Sequence, residues 1–89
     1  MSKMLILRGI KNLLDEPPAV EYARERGYLG KVLDASGEAY PGSPQVVMAL
    51  QAFRSDPDVE ALYGFSGGGY NVRHVLAALP HRRKLASSW

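Results

Sequence analysis

Residues 59–69 read Val-Glu-Ala-Leu-Tyr-Gly-Phe-Ser-Gly-Gly-Gly, which joins a strand-like run to a glycine-rich segment. The first five residues have strand character, and the next six, of which four are glycine, predict a tight turn. The apolar residues that follow repeat at helical spacing: Val72, Val75, Leu76 and Leu79. The stretch therefore predicts a strand, a glycine-rich turn and a helix that begins near Tyr70 or Asn71 and stops at Pro80.

The chain before this stretch shows the same alternation of strand and helix. Residues 4–7 form a short apolar run that is typical of a strand, and Pro17 and Pro18 suit the first turn of a following helix. Gly27 stands where such a helix would end. Residues 29–34 then predict the second strand.

A second helix is marked by Ser43 as its N-cap and Pro44 at its first position. Its predicted buried face comprises five apolar residues: Val46, Val47, Ala49, Leu50 and Phe53. Alternating strands and helices imply a parallel sheet with right-handed crossovers. We therefore expect a small three-layer α/β domain with three strands in the order 2-1-3. The first helix would cover one face of the sheet, and the other two helices could divide between the faces.

Length and composition fit one small domain. With 89 residues, of which 46% are hydrophobic and 22% charged, we expect a single domain over residues 1–80 and a basic tail over residues 81–89 that could add a short strand. The absence of cysteine excludes disulfides, thiol nucleophiles and cysteine-ligated metals. The N-terminal apolar run is too short for a signal peptide or a membrane span, so we expect a cytoplasmic protein with no membrane contact.

Charge is distributed unevenly along the chain. Residues 1–60 carry 7 basic and 9 acidic side chains, whereas residues 61–89 carry 4 basic and no acidic ones. The basic residues 82–84 lack the interleaved aromatic rings that single-strand binders use, so we do not expect a nucleic-acid partner. His74 and His81 stand seven residues apart without a nearby carboxylate, so we expect no metal and no other cofactor.

Residues 64–68 match the pattern Gly-x-Ser-x-Gly between a predicted strand and a predicted helix. In that setting the serine sits on a sharp turn with strained backbone angles. The residues two before and two after it approach so closely that they must be small, and here they are Gly64 and Gly68. The helix that follows points its N-terminal amides at the serine, which favours a developing negative charge.

With this pattern and this order of elements, roughly residues 4–80 resemble the middle of the α/β-hydrolase fold. The resemblance implies that Ser66 is the nucleophile and that the amide of Gly67 is one oxyanion donor. It also implies a second donor amide near Gly9 or Ile10, in the loop after the first strand. The strand order 2-1-3 would bring the two loops side by side, at the point where ligands bind in open α/β sheets.

The sequence departs from the family where the triad should be completed, because the family's acid and histidine follow the serine on later strands. No carboxylate side chain follows Glu60, and His74 lies eight residues after Ser66 on the same predicted helix, out of reach. His81 could approach Ser66 only if the tail folds back or a second copy supplies it. We expect a homo-oligomer, most simply a dimer, because the two open sheet edges invite pairing.

The turn also has roles that need no catalysis. Ser66 could cap the third helix through its hydroxyl. The turn could also bind a small anion through two side chains and three amides: Asn71, Arg73, Gly67, Gly68 and Gly69. Two functions follow. The missing acid favours a non-catalytic or degenerate hydrolase-like binding protein. The Gly-x-Ser-x-Gly pattern keeps open an esterase-like serine hydrolase completed across an oligomer interface.

Overall fold

A computed structural model describes residues 1–10, 16–79 and 86–88. Four strands are present in these residues: β1 Lys3–Leu7, β2 Leu29–Val32, β3 Val59–Gly64 and β4 Ala86–Ser88. Three helices connect or follow them: α1 Glu16–Glu25, α2 Pro44–Ser55 and α3 Gly67–Ala78. The predicted alternation of strand and helix is confirmed.

The strands form one parallel sheet in the order β2-β1-β3-β4. The predicted order 2-1-3 is therefore confirmed for the first three strands, and β1 is central among them. Met4 pairs with Gly30 on one side and with Ala61 on the other. Residues 86–88, within the predicted basic tail, add β4 beside β3. Parallel strands need a crossover connection between them, and α1, α2 and α3 each lie in one of these connections and pack on the faces of the sheet.

Alternate residues of β1 supply two separate cores. Leu5 and Leu7 point to the face that holds α2 and α3, where they pack in a cluster with Phe53, Val72 and Val75. The other face belongs to α1, whose Ala23 packs with Met4 and Ala61. The second and third helices thus share one face of the sheet and do not divide between the two, because both bring an apolar stripe to the same cluster.

Helix α1 ends just before Gly27, as the sequence predicted. Gly27 has a φ of 83°, which places it in the left-handed region that glycine enters without strain. The Tyr28 amide donates to the Ala23 carbonyl at 3.0 Å, and the Gly27 amide donates to the Arg24 carbonyl at 3.0 Å. These two bonds form a Schellman motif, which ends the helix and sends the chain into β2.

The start of α2 is as predicted, but its buried face is different. Ser43 caps the helix by accepting a hydrogen bond from the Val46 amide at 3.3 Å, and Pro44 is the first helical residue. Val47, predicted to be buried, is 44% exposed, whereas Gln45 is completely buried. The apolar stripe is therefore narrower than predicted, because a polar residue takes one position on the inner face.

The third helix begins at Gly67, which is three residues or more before its predicted start at Tyr70 or Asn71. The glycines form the first helical turn and are not a separate loop, because the Gly69 amide already donates to the carbonyl of Ser66 at 3.0 Å. The low helix propensity of glycine is the reason why the predicted start of α3 was too late in the sequence. Tertiary contacts of these glycines, described below, outweigh that propensity. None of the helices in the described part of the chain has the length and apolar composition needed to cross a bilayer.

One ion pair ties the start of β1 to the end of α2. Lys3 Nζ lies 2.6 Å from Asp56 Oδ2, and Asp56 also accepts a hydrogen bond from the Asp58 amide at 2.9 Å. The hydrogen bond from Lys3, together with that amide, lowers the pKa of Asp56, and the same bond raises the pKa of Lys3. Folding therefore favours the charged form of both groups.

We expect Asp56→Asn to unfold at a lower urea concentration than the parent between about pH 5 and pH 9. Because folding lowers the pKa of Asp56 below its ordinary 3.8, this stabilisation is present above that value and is lost as the pH falls through the folded pKa. The contribution of Lys3 is present below its ordinary pKa of 10.5 and is lost as the pH rises through its raised value. Urea midpoints measured across this range, with Asp58→Asn as the charge-matched control, test the pair. A constant difference at all pH values would contradict it.

Candidate functional site

The candidate site is the turn between β3 and α3, where Gly64 and Gly68 approach each other. A Cβ added to Gly64 would collide with the Gly68 carbonyl oxygen and lie 2.8 Å from the Gly69 nitrogen. The chain therefore reverses so sharply around Ser66 that neither flanking position tolerates a side chain. This is the small-residue requirement inferred from the sequence pattern, expressed as backbone contact.

The turn also rests on the carboxyl end of β1. A Cβ on Gly68 would collide with the Leu7 carbonyl oxygen and lie 2.9 Å from the Arg8 carbonyl oxygen. The Phe65 amide donates to the Leu7 carbonyl at 3.4 Å. The loops after β1 and β3 are thus in direct backbone contact, as the strand order predicts.

A third loop, between β2 and α2, joins the same contact through Gly37. A Cβ on Gly37 would collide with the Arg8 carbonyl oxygen and lie 2.8 Å from the Gly9 Cα, and the Gly37 amide donates to the Gly9 carbonyl at 3.3 Å. A Cβ on Gly67 would collide with the carbonyl oxygen of Gly37. We call the meeting of these three loops the glycine junction, defined by Gly9, Gly37, Gly67 and Gly68.

Two buried amide side chains hold the loops of the glycine junction in place. Gln45 Nε2 donates to the Arg8 carbonyl at 2.9 Å and to the Ala35 carbonyl at 3.3 Å. Asn71 Nδ2 donates to Gln45 Oε1 at 2.8 Å and to the Glu38 carbonyl at 2.8 Å. Buried carbonyls that are not paired in the sheet still need hydrogen-bond donors. Gln45 and Asn71 supply these donors to the loop carbonyls.

Asn71 therefore has a different position from the one predicted for an anion ligand. Its side chain is fully buried, and its amide nitrogen donates to two acceptors of the chain. Its Oδ1 has no hydrogen-bond partner within the described residues. Sequence reasoning missed Gln45 altogether, since a glutamine in the first turn of a helix carries no signal that it will be buried.

Ser66 is held in a strained conformation with its side chain facing out. Its φ is 56° and its ψ is −128°, and it is the one non-glycine residue with a positive φ in the described part of the chain. These angles fit the first central position of a type II′ turn, which normally requires glycine. The Gly68 amide closes that turn on the Phe65 carbonyl at 3.0 Å. Ser66 occupies the N-cap position of α3, but its hydroxyl makes no capping hydrogen bond, so the capping role considered for it is wrong.

The three glycine amides at the start of α3 are not equivalent. The amide of Gly68 donates to Phe65 and that of Gly69 donates to Ser66, both at 3.0 Å. The amide of Gly67 has no acceptor among the residues that the structure describes. Of the three amides predicted to bind an anion, two therefore already have acceptors within the protein.

A pocket of about 390 Å³ opens beside this turn. It is lined by Phe65, Ser66, Gly69, Tyr70 and Arg73. The last four of these follow the i, i+3, i+4, i+7 spacing and so share one face of α3. The pocket therefore combines the hydroxyls of Ser66 and Tyr70, two aromatic rings and one guanidinium, and its described lining contains no carboxylate or imidazole.

The remaining candidate residues lie apart from this pocket or outside the described residues. His74 is half-buried on α3, roughly 12 Å further along the helix axis than Ser66, and is not in the pocket lining. His81 lies outside the described residues. Gly9 is buried in the glycine junction, and Ile10 is 58% exposed. No three side chains of metal-ligating type gather in the described part of the chain.

Comparison of the chain with protein-family models, curated proteins and solved structures gave no match.

We expect Gly68→Ala to destabilise the protein by about 3 kcal/mol or more, because its Cβ would meet backbone of β1 that cannot move without breaking the sheet. Gly42→Ala is the matched control, since a Cβ there meets nothing within 4 Å. The control should leave stability unchanged or raise it by about 0.5 kcal/mol through the unfolded state. Urea unfolding of both variants tests the glycine junction, and equal losses would refute it.

Replacement of Ser66 should separate backbone strain from side-chain chemistry. We expect Ser66→Gly to be more stable than Ser66→Ala by about 1 kcal/mol, because both lose the hydroxyl but only glycine adopts this φ and ψ without strain. Thermal and urea unfolding of the two variants provide the measurement. A Ser66→Ala protein at least as stable as Ser66→Gly would show that the turn is not strained.

Proposed function

We propose that the chain presents Ser66 as the nucleophile of an acyl-transfer site, in the manner of an esterase-like serine hydrolase. The observation that carries the proposal is the backbone of Ser66, with a φ of 56° and a hydroxyl that caps nothing. A conformation of this kind costs about 1–3 kcal/mol and persists where the surrounding structure enforces it, often at active sites. A serine that served only the turn would be replaced by glycine with a gain in stability.

The surroundings of Ser66 suit the charge that develops during acyl transfer. Attack on an ester places a negative charge on the former carbonyl oxygen, and amide donors stabilise it best when they are already aimed at it. The amide of Gly67 is available for this role at the start of α3. The loop after β1 touches the glycine junction, so its amides at Gly9 and Ile10 are the candidates for a second donor.

The proposed reaction has two steps. Ser66 Oγ attacks the carbonyl carbon of an ester, its proton passes to a base, and the C–O bond to the alcohol breaks as the alcohol leaves with that proton. Water then attacks the acyl-serine, which releases the carboxylic acid and restores the hydroxyl. No oxidant or other co-reactant is needed.

A base must come from outside the described lining of the pocket. His81 is the candidate that the sequence offers, and it would have to reach Ser66 either from its own chain or across an interface with a second copy. The general requirement is an imidazole within hydrogen-bond reach of the hydroxyl, held by a third group. Without such a base Ser66 would be an inert alcohol.

A second function is favoured by Arg73, which brings a positive charge into the pocket beside Ser66. In that case the protein binds an anion at the pocket and performs no chemistry. This alternative is weaker than the sequence suggested, because the amides of Gly68 and Gly69 already have acceptors and Asn71 is buried. Covalent labelling distinguishes the two functions.

We expect a fluorophosphonate probe to label the folded protein at one site and to fail with Ser66→Ala, because the probe reacts only with an activated serine. Ser55→Ala is the matched control: Ser55 is exposed, and its hydroxyl bonds the Gln51 carbonyl at the end of α2. This variant should label like the parent. Intact-protein mass spectrometry gives the stoichiometry.

The same experiment can reject the proposal. Folded parent protein that stays unlabelled, or labelling that survives in Ser66→Ala, would remove Ser66 as a nucleophile. The pocket would then be a binding site only. Circular dichroism of each variant shows that the protein tested is folded.

A further inference from the structure

A row of aromatic rings runs from α1 to the pocket beside Ser66. The ring centroids of Tyr22 and Tyr63 lie 4.8 Å apart, and those of Tyr63 and Phe65 lie 5.9 Å apart in an edge-to-face arrangement. At the other end of the row, Arg26 Cζ lies 3.5 Å from the centroid of the Tyr22 ring. Because each ring packs against the next, the row holds Phe65 in place as one wall of the pocket.

A second ring, that of Tyr70, stands open at the same pocket. Tyr70 is 65% exposed, and burial of its apolar ring surface by a ligand is favourable. Gly69 lies between Ser66 and Tyr70 on the same face of α3 and contributes only backbone to the lining. The pocket therefore presents two aromatic rings and a stretch of bare backbone to a ligand.

The size and lining of the pocket limit what it can bind. Its volume of about 390 Å³ lies near the lower end of the range for small-molecule sites, which is roughly 300–1,000 Å³. Aromatic rings pair with one another in stacked or edge-to-face geometries, so aromatic walls favour a flat ring over a saturated one. A neutral ring needs no counter-charge, and its binding does not depend on the guanidinium of Arg73, which completes the described lining.

We infer that the pocket binds a neutral aromatic ring, with Phe65 and Tyr70 as the residues that contact it. The substrate class rests on the proposed function: if Ser66 is the nucleophile, the substrates are small neutral esters that carry an aromatic ring next to the ester group. The ring packs against Phe65 and Tyr70 while the ester carbonyl lies at Ser66. Phe65 is adjacent to Ser66 in the chain and Tyr70 is about one helical turn away, so an ester with a single ring reaches all three.

Binding to the inactive Ser66→Ala protein tests the inference without any need for catalysis. The ligands are phenyl acetate and cyclohexyl acetate, two neutral acetates whose six-membered rings are aromatic and saturated. NMR titration of the backbone amide signals gives Kd for each ligand and shows which residues it contacts. We expect phenyl acetate to bind about threefold more tightly, with its largest shifts at residues 65–73. Apolar burial alone would not produce this preference, because the saturated ring has at least as much apolar surface.

Two tyrosine variants in the Ser66→Ala protein locate the ring. Tyr70→Ala should weaken binding of phenyl acetate about fivefold, because one aromatic wall is lost. Tyr40→Ala is the matched control, since Tyr40 is 47% exposed and lies outside the described lining of the pocket. It should leave Kd unchanged. Both tyrosines are exposed, so we expect both variants to fold.

Three results would overturn the inference. The first is the absence of saturable shifts at residues 65–73. The second is an equal Kd for the two acetates. The third is a Kd for phenyl acetate that Tyr70→Ala does not raise, or that Tyr40→Ala raises equally.

Turnover provides a second readout if Ser66 labels. The ratio of kcat/KM for phenyl acetate to that for cyclohexyl acetate should fall about twofold in Tyr70→Ala and stay constant in Tyr40→Ala. The intrinsic reactivities of the two esters cancel when this ratio is compared between variants. A ratio that Tyr70→Ala does not lower overturns the inference. Failure of the proposed function has a different signature: Ser66 remains unlabelled, while phenyl acetate still binds at residues 65–73 and binds more weakly after Tyr70→Ala.

Discussion

The turn after β3 reaches the end of β1 only because residues 37, 67 and 68 have no side chains. At each position a Cβ would collide with the backbone of a neighbouring loop. Three loops that leave three different strands are thereby brought into van der Waals contact through their main chains. The sheet order places these loops at one edge, but the close approach, and with it the start of α3 at Gly67, depends on the missing Cβ atoms. Glycine at the start of α3 costs helix propensity, and the tertiary contact outweighs that cost.

Contact between loops creates a second requirement, which Gln45 and Asn71 meet. Loop carbonyls buried by this approach have left the sheet ladder and still need donors. The two amides form a chain in which Asn71 donates to Gln45, and Gln45 donates to Arg8 and Ala35. The direction of this chain is fixed, because its ends are carbonyls that can only accept. That direction leaves Asn71 Oδ1 as the acceptor without a partner in the described residues. The glycine junction and the hydrogen bonds of Gln45 and Asn71 together hold Ser66 in its strained conformation.

Much of the fold could be predicted because it follows local rules. Ser43 and Pro44 start α2, Gly27 ends α1, and alternation of strand and helix gives the parallel order. The wrong predictions concern residues whose positions depend on tertiary contacts. Nothing in the sequence around Gln45 indicates that a glutamine would be buried while Val47 is exposed, and nothing around the glycines shows that they would be helical. At the site, the pattern around Ser66 predicted the sharp turn, but which amides remained available depended on turn hydrogen bonds that only the structure gives.

The positive charge near Ser66 would have two opposing effects on acyl transfer. The N-terminus of α3 and Arg73 both contribute positive charge at the pocket, and its described lining contains no carboxylate. Positive potential stabilises an oxyanion at Ser66, but it also opposes a protonated imidazole beside it. A triad normally relieves that conflict with its own acid. The base that the proposed nucleophile needs must therefore bring its own carboxylate partner from outside the described lining of the pocket.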